Sequence, residues 1–258
     1  MRRTLAALAL LLALCASASA RQEPSARKID EFGDIYTSDL KARLDYFAID
    51  LQGTPDARGV VVFHAAKNKF PGWPARRALY CIDYLVNTRG LDASRLTTTN
   101  GGLRDDPFFE LWLVPPGAGL NVKPFDVSLL MSGEKTPLPF DRFIVIERGD
   151  NVVSASDEDP RPDSPLYEYF AEALRNDPTL RGCVIGYTSR RGSRAAARRI
   201  ASLAKMTIAK SHAVDIRRVV ALAGGRRDYK TIELWLVPPG SALPTPDPPA
   251  QRTRRRRR

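Results

Sequence analysis

The chain writes one segment twice: ELWLVPPG runs from Glu110 to Gly117 and again from Glu233 to Gly240. The identity ends a longer match. At a constant spacing of 123 residues, Tyr46 meets Tyr169, Phe47 meets Phe170, Pro55 meets Pro178, Arg58-Gly59 meets Arg181-Gly182 and Arg76 meets Arg199. Asp92 meets Asp215, Arg95 meets Arg218, Gly101-Gly102 meets Gly224-Gly225, and Arg104-Asp105 meets Arg227-Asp228 at the same spacing. So long a period exceeds the roughly 20–50 residues of solenoid units. Each copy is therefore expected to be a small domain with its own core. The match and the strands read ahead of it divide the chain into copy one over 28–118, a linker over 119–137, copy two over 138–241 and a tail over 242–258.

Within copy one, IDEFGDI reads as a short strand, and LKARLDYFAIDLQ sets Leu40, Leu44, Phe47, Ala48 and Leu51 at helical spacing. GVVVFHA is an apolar, β-branched run that reads as a buried strand. ARRALYCIDYLVNTRG follows as a helix with Ala78, Leu79, Ile82, Leu85 and Val86 inward and Gly90 past its end. RLTTTNGG and FFELWLVPP give two strands joined by a Gly-Gly turn. Copy two repeats the order with FDRFIVI, PLYEYFAEALR, GCVIGYT, SRAAARRIASLAKMTIAK, RRVVALAGG and TIELWLVPP. The fold class is α/β, two tandem two-layer α/β sandwiches, each β-α-β-α-β-β. Leu111 and Leu113 alternate with Glu110, Trp112 and Val114, so one sheet face is expected to be core, and Pro115-Pro116 ends the strand.

Residues 1–20 carry Arg2 and Arg3, an apolar stretch from Leu5 to Leu14 and an Ala18-Ser19-Ala20 exit. That is the pattern of a secretory signal peptide, too short for a membrane span. A lipid attached at Cys15 is the alternative, set against it by Leu14, which stands where such signals place a small residue. Export to the periplasm or cell envelope is expected, with no transmembrane segment. The formal charge of +11 sits largely at the ends, since Arg2, Arg3 and the six arginines of QRTRRRRR supply eight of those charges. A mildly basic exported body gives no reason to expect nucleic acid, and the Arg tail behind PPGSALPTPDPP reads as a disordered basic arm. Cys81 and Cys183 fall inside core elements and are expected as buried thiols, with a disulfide as the alternative.

FDRF at Phe140 to Phe143, the helices, and RRALYCIDYLVNTRGLDASRL from Arg76 to Leu96 together resemble the OmpA-like C-terminal domain, a cell-wall-binding module of bacterial envelope proteins. The resemblance covers nearly all of the chain after the leader, once per copy. It implies a ligand site in which an Asp at the end of the second strand takes the ammonium of diaminopimelate and an Arg at the start of the second helix clamps its carboxylate. Here those strands end in Phe63-His64-Ala65-Ala66 and Gly186-Tyr187-Thr188-Ser189, so Ala66 and Ser189 replace the Asp. The Arg is kept as Arg76 or Arg77, and as Arg199; ELWLVPPG replaces the family's closing NRRVEI. Ligand-binding candidates are thus Arg76, Arg77, Ser189, Arg190, Arg191 and Arg199, in copy two within a denser group that includes Arg194 and Arg198.

Other residues point less far. Gly-Gly-x-Arg-Asp reads as turn chemistry with a surface pair, and Trp112 and Trp235 as packing, with a sugar platform as the alternative. His64 faces Tyr187 in the repeat and His212 faces Arg89, so neither histidine has a twin, and no metal-ligand spacing occurs. SDEDPRPD, from Ser156 to Asp163, reads as a solvated linker rather than a calcium loop. No metal, cofactor or catalytic set is expected. The expected function is a non-enzymatic envelope protein binding peptidoglycan or another anionic wall polymer. The alternative is a structural or protein-interaction module that has lost its ligand; a hydrolase using Asp105 and Asp228 ranks behind both.

Overall fold

A computed structural model describes residues 24–66, 69–148, 151–154 and 167–246. The leader, SDEDPRPD and the arginine tail lie outside the described residues. Copy one comprises β1 (Arg27–Phe32), α1 (Thr37–Gln52), β2 (Arg58–Ala66), α2 (Gly72–Asn87), β3 (Leu96–Arg104) and β4 (Phe108–Val114). Copy two comprises β5 (Leu138–Arg148), β6 (Asn151–Ser154), α3 (Glu168–Asn176), β7 (Arg181–Thr188), α4 (Arg194–Ser211), β8 (Val219–Arg226) and β9 (Thr231–Val237). Each copy forms a mixed sheet, in the order β1-β4-β2-β3 and β5-β9-β7-β8, with β6 added outside β5. β2–β3 and β7–β8 are parallel and the remaining pairs antiparallel. Among the described residues the chain is α/β with two sheets and four α-helices. No helix among the described residues is long and apolar enough to cross a membrane.

The first strands are also repeated, but at a different spacing. Asp30 pairs Leu111 and Asp141 pairs Leu234, each just after a register shift. That places the first strands 111 residues apart, not 123, so copy two carries twelve extra residues between its first strand and first helix, where β6 falls.

Many repeated residues perform matching structural tasks. Arg95 donates to the carbonyls of Leu51, Thr54 and Ala57, and Arg218 to those of Leu174, Asp177 and Leu180. Each guanidinium satisfies carbonyls that a helix C-terminus and its following loop leave open. The Asp92 and Asp215 carboxylates accept the backbone N–H of Ser94 and Arg217, capping the 3₁₀ turns Ala93–Arg95 and Ile216–Arg218. A Cβ on Gly59 would lie 2.7 Å from Leu51 Cδ1, and one on Gly182 3.0 Å from Leu174 and Phe170. Glycine therefore lets the first helix of each copy sit directly on the central strand.

The Gly-Gly pairs lie inside β3 and β8, not in the turn, which Asp105, Asp106 and Pro107 make in copy one. The reason is steric. A Cβ on Gly101 would fall 2.6 Å from the His64 ring and one on Gly224 2.5 Å from the Tyr187 ring, so the missing side chain makes room for a ring on the neighbouring strand. In α2 the inward face is also rotated from the expected one. Ala78 and Leu85 are buried, but Cys81 and Tyr84 join them while Leu79, Ile82 and Val86 are half-buried. The helix begins earlier, at Gly72, with Pro74 tolerated in its first turn.

Two expectations about the core change. The copies do not each enclose a separate core, because one apolar cluster runs from Phe47 and Leu85 in copy one through Phe140 to Phe170 and Leu234 in copy two. Phe140 packs on Tyr169 and Phe170 at centroid distances of 5.7 and 5.2 Å, and Phe63 meets Tyr169 edge-on at 5.3 Å. Gly72 abuts Phe140 so closely that a Cβ there would lie 2.6 Å from it. The segment read as a linker is packed too. Its 3₁₀ helix Val127–Met131 buries Val127 and Met131, and Asp126 caps it. The far sheet faces are likewise covered, Val60, Val62, Trp112 and Val114 by Ala118, Leu120 and Val122, and Cys183, Ile185, Tyr187 and Val237 by Leu243.

Candidate functional site

On the face of each sheet away from the helices, the repeat places a buried glutamate. Glu110 accepts the indole N–H of Trp112 at 2.8 Å and Lys28 Nζ at 3.1 Å, with Arg104 at 3.6 Å and His64 Nε2 at 3.8 Å. Glu233 accepts Arg142 at 2.8 Å, Arg227 at 2.7 Å, the Tyr187 hydroxyl at 3.0 Å and Trp235 at 3.3 Å. Burial works to raise the Glu110 carboxyl, but its hydrogen bonds from Trp112 and Lys28 outweigh that and hold it below its ordinary value. A carboxylate kept ionised amid donors is suited to structure rather than to general acid chemistry. His64 and Tyr187, matched by their common spacing from Glu110 and Glu233, occupy one place beside the glutamate, where the Tyr187 hydroxyl donates to Glu233 and the buried His64 Nε2 makes no hydrogen bond.

Arg104 and Arg227 border the two glutamates. Arg104 stacks over Phe108 at 4.1 Å and Arg227 over Tyr187 at 3.4 Å. Asp228 pairs with Arg190 at 2.6 Å. Trp112 and Trp235 are half-buried members of these clusters.

The six arginine and serine candidates fall at the corresponding strand-to-helix junctions of two separate sheets. In copy one the junction is turned inward. Arg76 donates through Nε and NH2 to Asp141 of copy two at 3.0 and 3.2 Å, and its guanidinium lies 5.3 Å from the Phe143 ring centre. Asp141 is 3% exposed. Burial pushes its carboxyl above the ordinary value, with Arg76 partly opposing that. Arg77 donates to the Ile35 carbonyl at 2.9 Å and stacks on Trp73 and Tyr80, tying α2 to the loop before α1. Both arginines therefore work inside the fold.

In copy two the junction faces outward. Ser189 is half-buried, and Arg190, Arg191, Arg194, Arg198 and Arg199 are exposed. The loop is held from below: Gly192 N–H donates to the Ser189 carbonyl, Arg226 to the Gly192 carbonyl, and Arg227 N–H to the Thr188 carbonyl. Ser193 caps α4 by accepting the Ala196 N–H at 3.1 Å. Arg190 and Arg191 thus sit on a braced loop, Arg190 paired with Asp228, and Arg194, Arg198 and Arg199 on the first turns of α4, and the positive end of a helix favours anions.

Cys81 and Cys183 are free, buried thiols, both pushed up to about 12 by burial. His212 Nδ1 lies 2.6 Å from Glu168. Among the described residues no group of three His, Cys, Asp or Glu side chains is placed to hold a metal ion. Compared with known proteins, the chain matches no family model and no curated relative.

Proposed function

We propose that this is a non-catalytic protein of the cell envelope, built from two OmpA-like copies fused into one body, that binds an anionic wall polymer such as peptidoglycan through copy two. The observation that carries the reading is the contrast between the junctions. Arg76 is packed against an internal carboxylate, Asp141, whereas copy two's junction arginines are exposed, Arg190 and Arg191 on the loop and Arg199 on α4, and the ion pair of Arg190 with Asp228 lies at the surface. Copy one's clamp has become the joint between the copies. The secretory pattern at the leader supports an envelope location.

Co-sedimentation with purified peptidoglycan at physiological salt tests it. The chain lacking Gln251 to Arg258 should still pellet, and Arg190→Gln/Arg191→Gln/Arg199→Gln should stay in the supernatant. Pelleting that depends only on the tail, or that vanishes with salt, would favour the second reading, a structural or interaction module without a wall ligand. The replacement of the family Asp by Ala66 and Ser189 is the observation on that side.

A further inference from the structure

Where the copies meet there is a cavity of about 760 Å³, within the range of small-molecule sites. Its apolar walls come from three separated parts of the chain: Phe70, Pro71 and Trp73 before and within α2, Leu130 from the connector, and Leu138 and Pro139 from β5. Lys69, Arg76 and Arg142 also line it, and no acidic residue among the described residues does. Arg76, its side chain 15% exposed, is committed to Asp141. Lys69 and Arg142 are different: their side chains are 41% and 48% exposed. Asp34 takes one of the three ammonium donors of Lys69, and Glu233 engages two nitrogens of the Arg142 guanidinium. Lys69 Nζ stands 4.8 Å from the Trp73 ring centre and Arg142 Cζ 5.4 Å from that of Phe70, so cationic heads border the aromatic walls.

The repeat isolates this feature. Lys69-Phe70-Pro71-Gly72-Trp73 of copy one corresponds, at the 123-residue spacing, to Gly192-Ser193-Arg194-Ala195-Ala196 of copy two. The junction retained for folding is shared, while the aromatic wall with Lys69 belongs to copy one alone and is completed by Arg142 and the apolar residues of β5 in copy two. We infer that the inter-copy cavity, between Phe70 and Trp73 on one side and Leu130, Leu138 and Pro139 on the other, binds a small organic anion with an apolar body, its acidic head set against Lys69 and Arg142. A bare inorganic anion would leave the apolar walls unfilled, and a cation would meet the cationic heads of Lys69 and Arg142 first, their carboxylate partners lying outside the lining. The site lies at copy one's junction, where Ala66 and Arg76 also line it, apart from the exposed arginines of copy two, and stands or falls without them.

The probe is 1-anilinonaphthalene-8-sulfonate, titrated by fluorescence into the full chain, with N-phenyl-1-naphthylamine as its uncharged counterpart. The expected result is saturable binding at one site per chain, with the sulfonate favoured about tenfold or more. Lys69→Ala should weaken it about tenfold. Leu130→Trp, which fills the cavity from a half-exposed position, should abolish it, and Arg58→Gln, a surface charge outside the cavity, should leave it unchanged. Near-UV circular dichroism on each variant verifies that the fold is kept. The inference is overturned by non-saturable binding, by equal affinity for the uncharged probe, or by undiminished binding in folded Leu130→Trp.

Discussion

Arg95 shows how a repeated residue can look functional and be structural. Its guanidinium holds three carbonyls at the end of α1, as Arg218 does at the end of α3. Arg95→Met should therefore cost about 2–3 kcal/mol in urea unfolding, the scale of charged hydrogen bonds left unmade. A change too small to measure would mean that water replaces the clamp. His64 carries a pH signature. Burial, then the charge of Arg104, lowers its pKa beneath the ordinary 6.5, with Glu110 opposing and Lys28 adding to the effect. A depressed pKa contributes stability above the unfolded value and loses it as pH falls. Unfolding free energy should thus decline below about pH 6.5, and His64→Tyr, which installs copy two's residue, should flatten that decline between pH 7 and 5. Asp215 behaves in the same direction lower down. Hydrogen bonds from the side chain and backbone of Arg217 hold it at about 2, so what it contributes is present above its unfolded value of 3.8 and is lost as pH falls toward 2.

At the scale of elements, the approach of helix to strand is set by one missing methyl in each copy. Gly59→Ala would drive a Cβ to within 2.7 Å of Leu51 and 2.8 Å of Leu96, whereas the Gly182→Ala contacts begin at 3.0 Å. Overpacking of this kind costs about 1–3 kcal/mol, so Gly59→Ala should fall near the top of that range and Gly182→Ala near the bottom. Thermal melts of the two variants compare them directly, and equal losses would show that α1 and α3 yield alike. Gly101 and Gly224 serve strand pairing instead of helix packing, which is why Gly-Gly was read as a turn. Glycine in a sequence signals space or a bend, and only the neighbouring strand, with its His64 or Tyr187 ring, tells which.

For the whole molecule, the joint between copies governs cooperativity. Asp141→Ala would leave Arg76 largely buried without its carboxylate and should cost about 3–5 kcal/mol, while Arg76→Met/Asp141→Leu should cost much less. The two unfolding free energies, measured in the same denaturant, decide between an obligatory pair and a replaceable one. Because burial raises the Asp141 pKa, this carboxylate favours folding most below its unfolded value of 3.8 and loses that contribution as pH climbs through the folded value. A continuous core further predicts one calorimetric transition, with the van't Hoff enthalpy equal to the calorimetric one, in the full chain. Two resolved transitions would contradict it.

The amino-acid sequence by itself determined the duplication, the α/β order of copy one and, β6 aside, of copy two, the inward face of α1 and the burial of β2, because apolar periodicity and a constant spacing are local properties of a chain. It also located the two arginine-bearing junctions. It did not determine what those arginines do: Arg76 and Arg199 occupy equivalent positions, yet one is packed against the buried Asp141 across the joint and the other is exposed on α4. Nor could it reveal the single core, the glutamate clusters or the cavity between copies. Each depends on residues far apart in sequence, such as Phe140 against Tyr169, Tyr187 against Glu233, and Lys69 near Arg142. Spacing along one strand or helix cannot encode such pairings, because they arise only when the packed sheets fix the distance between them.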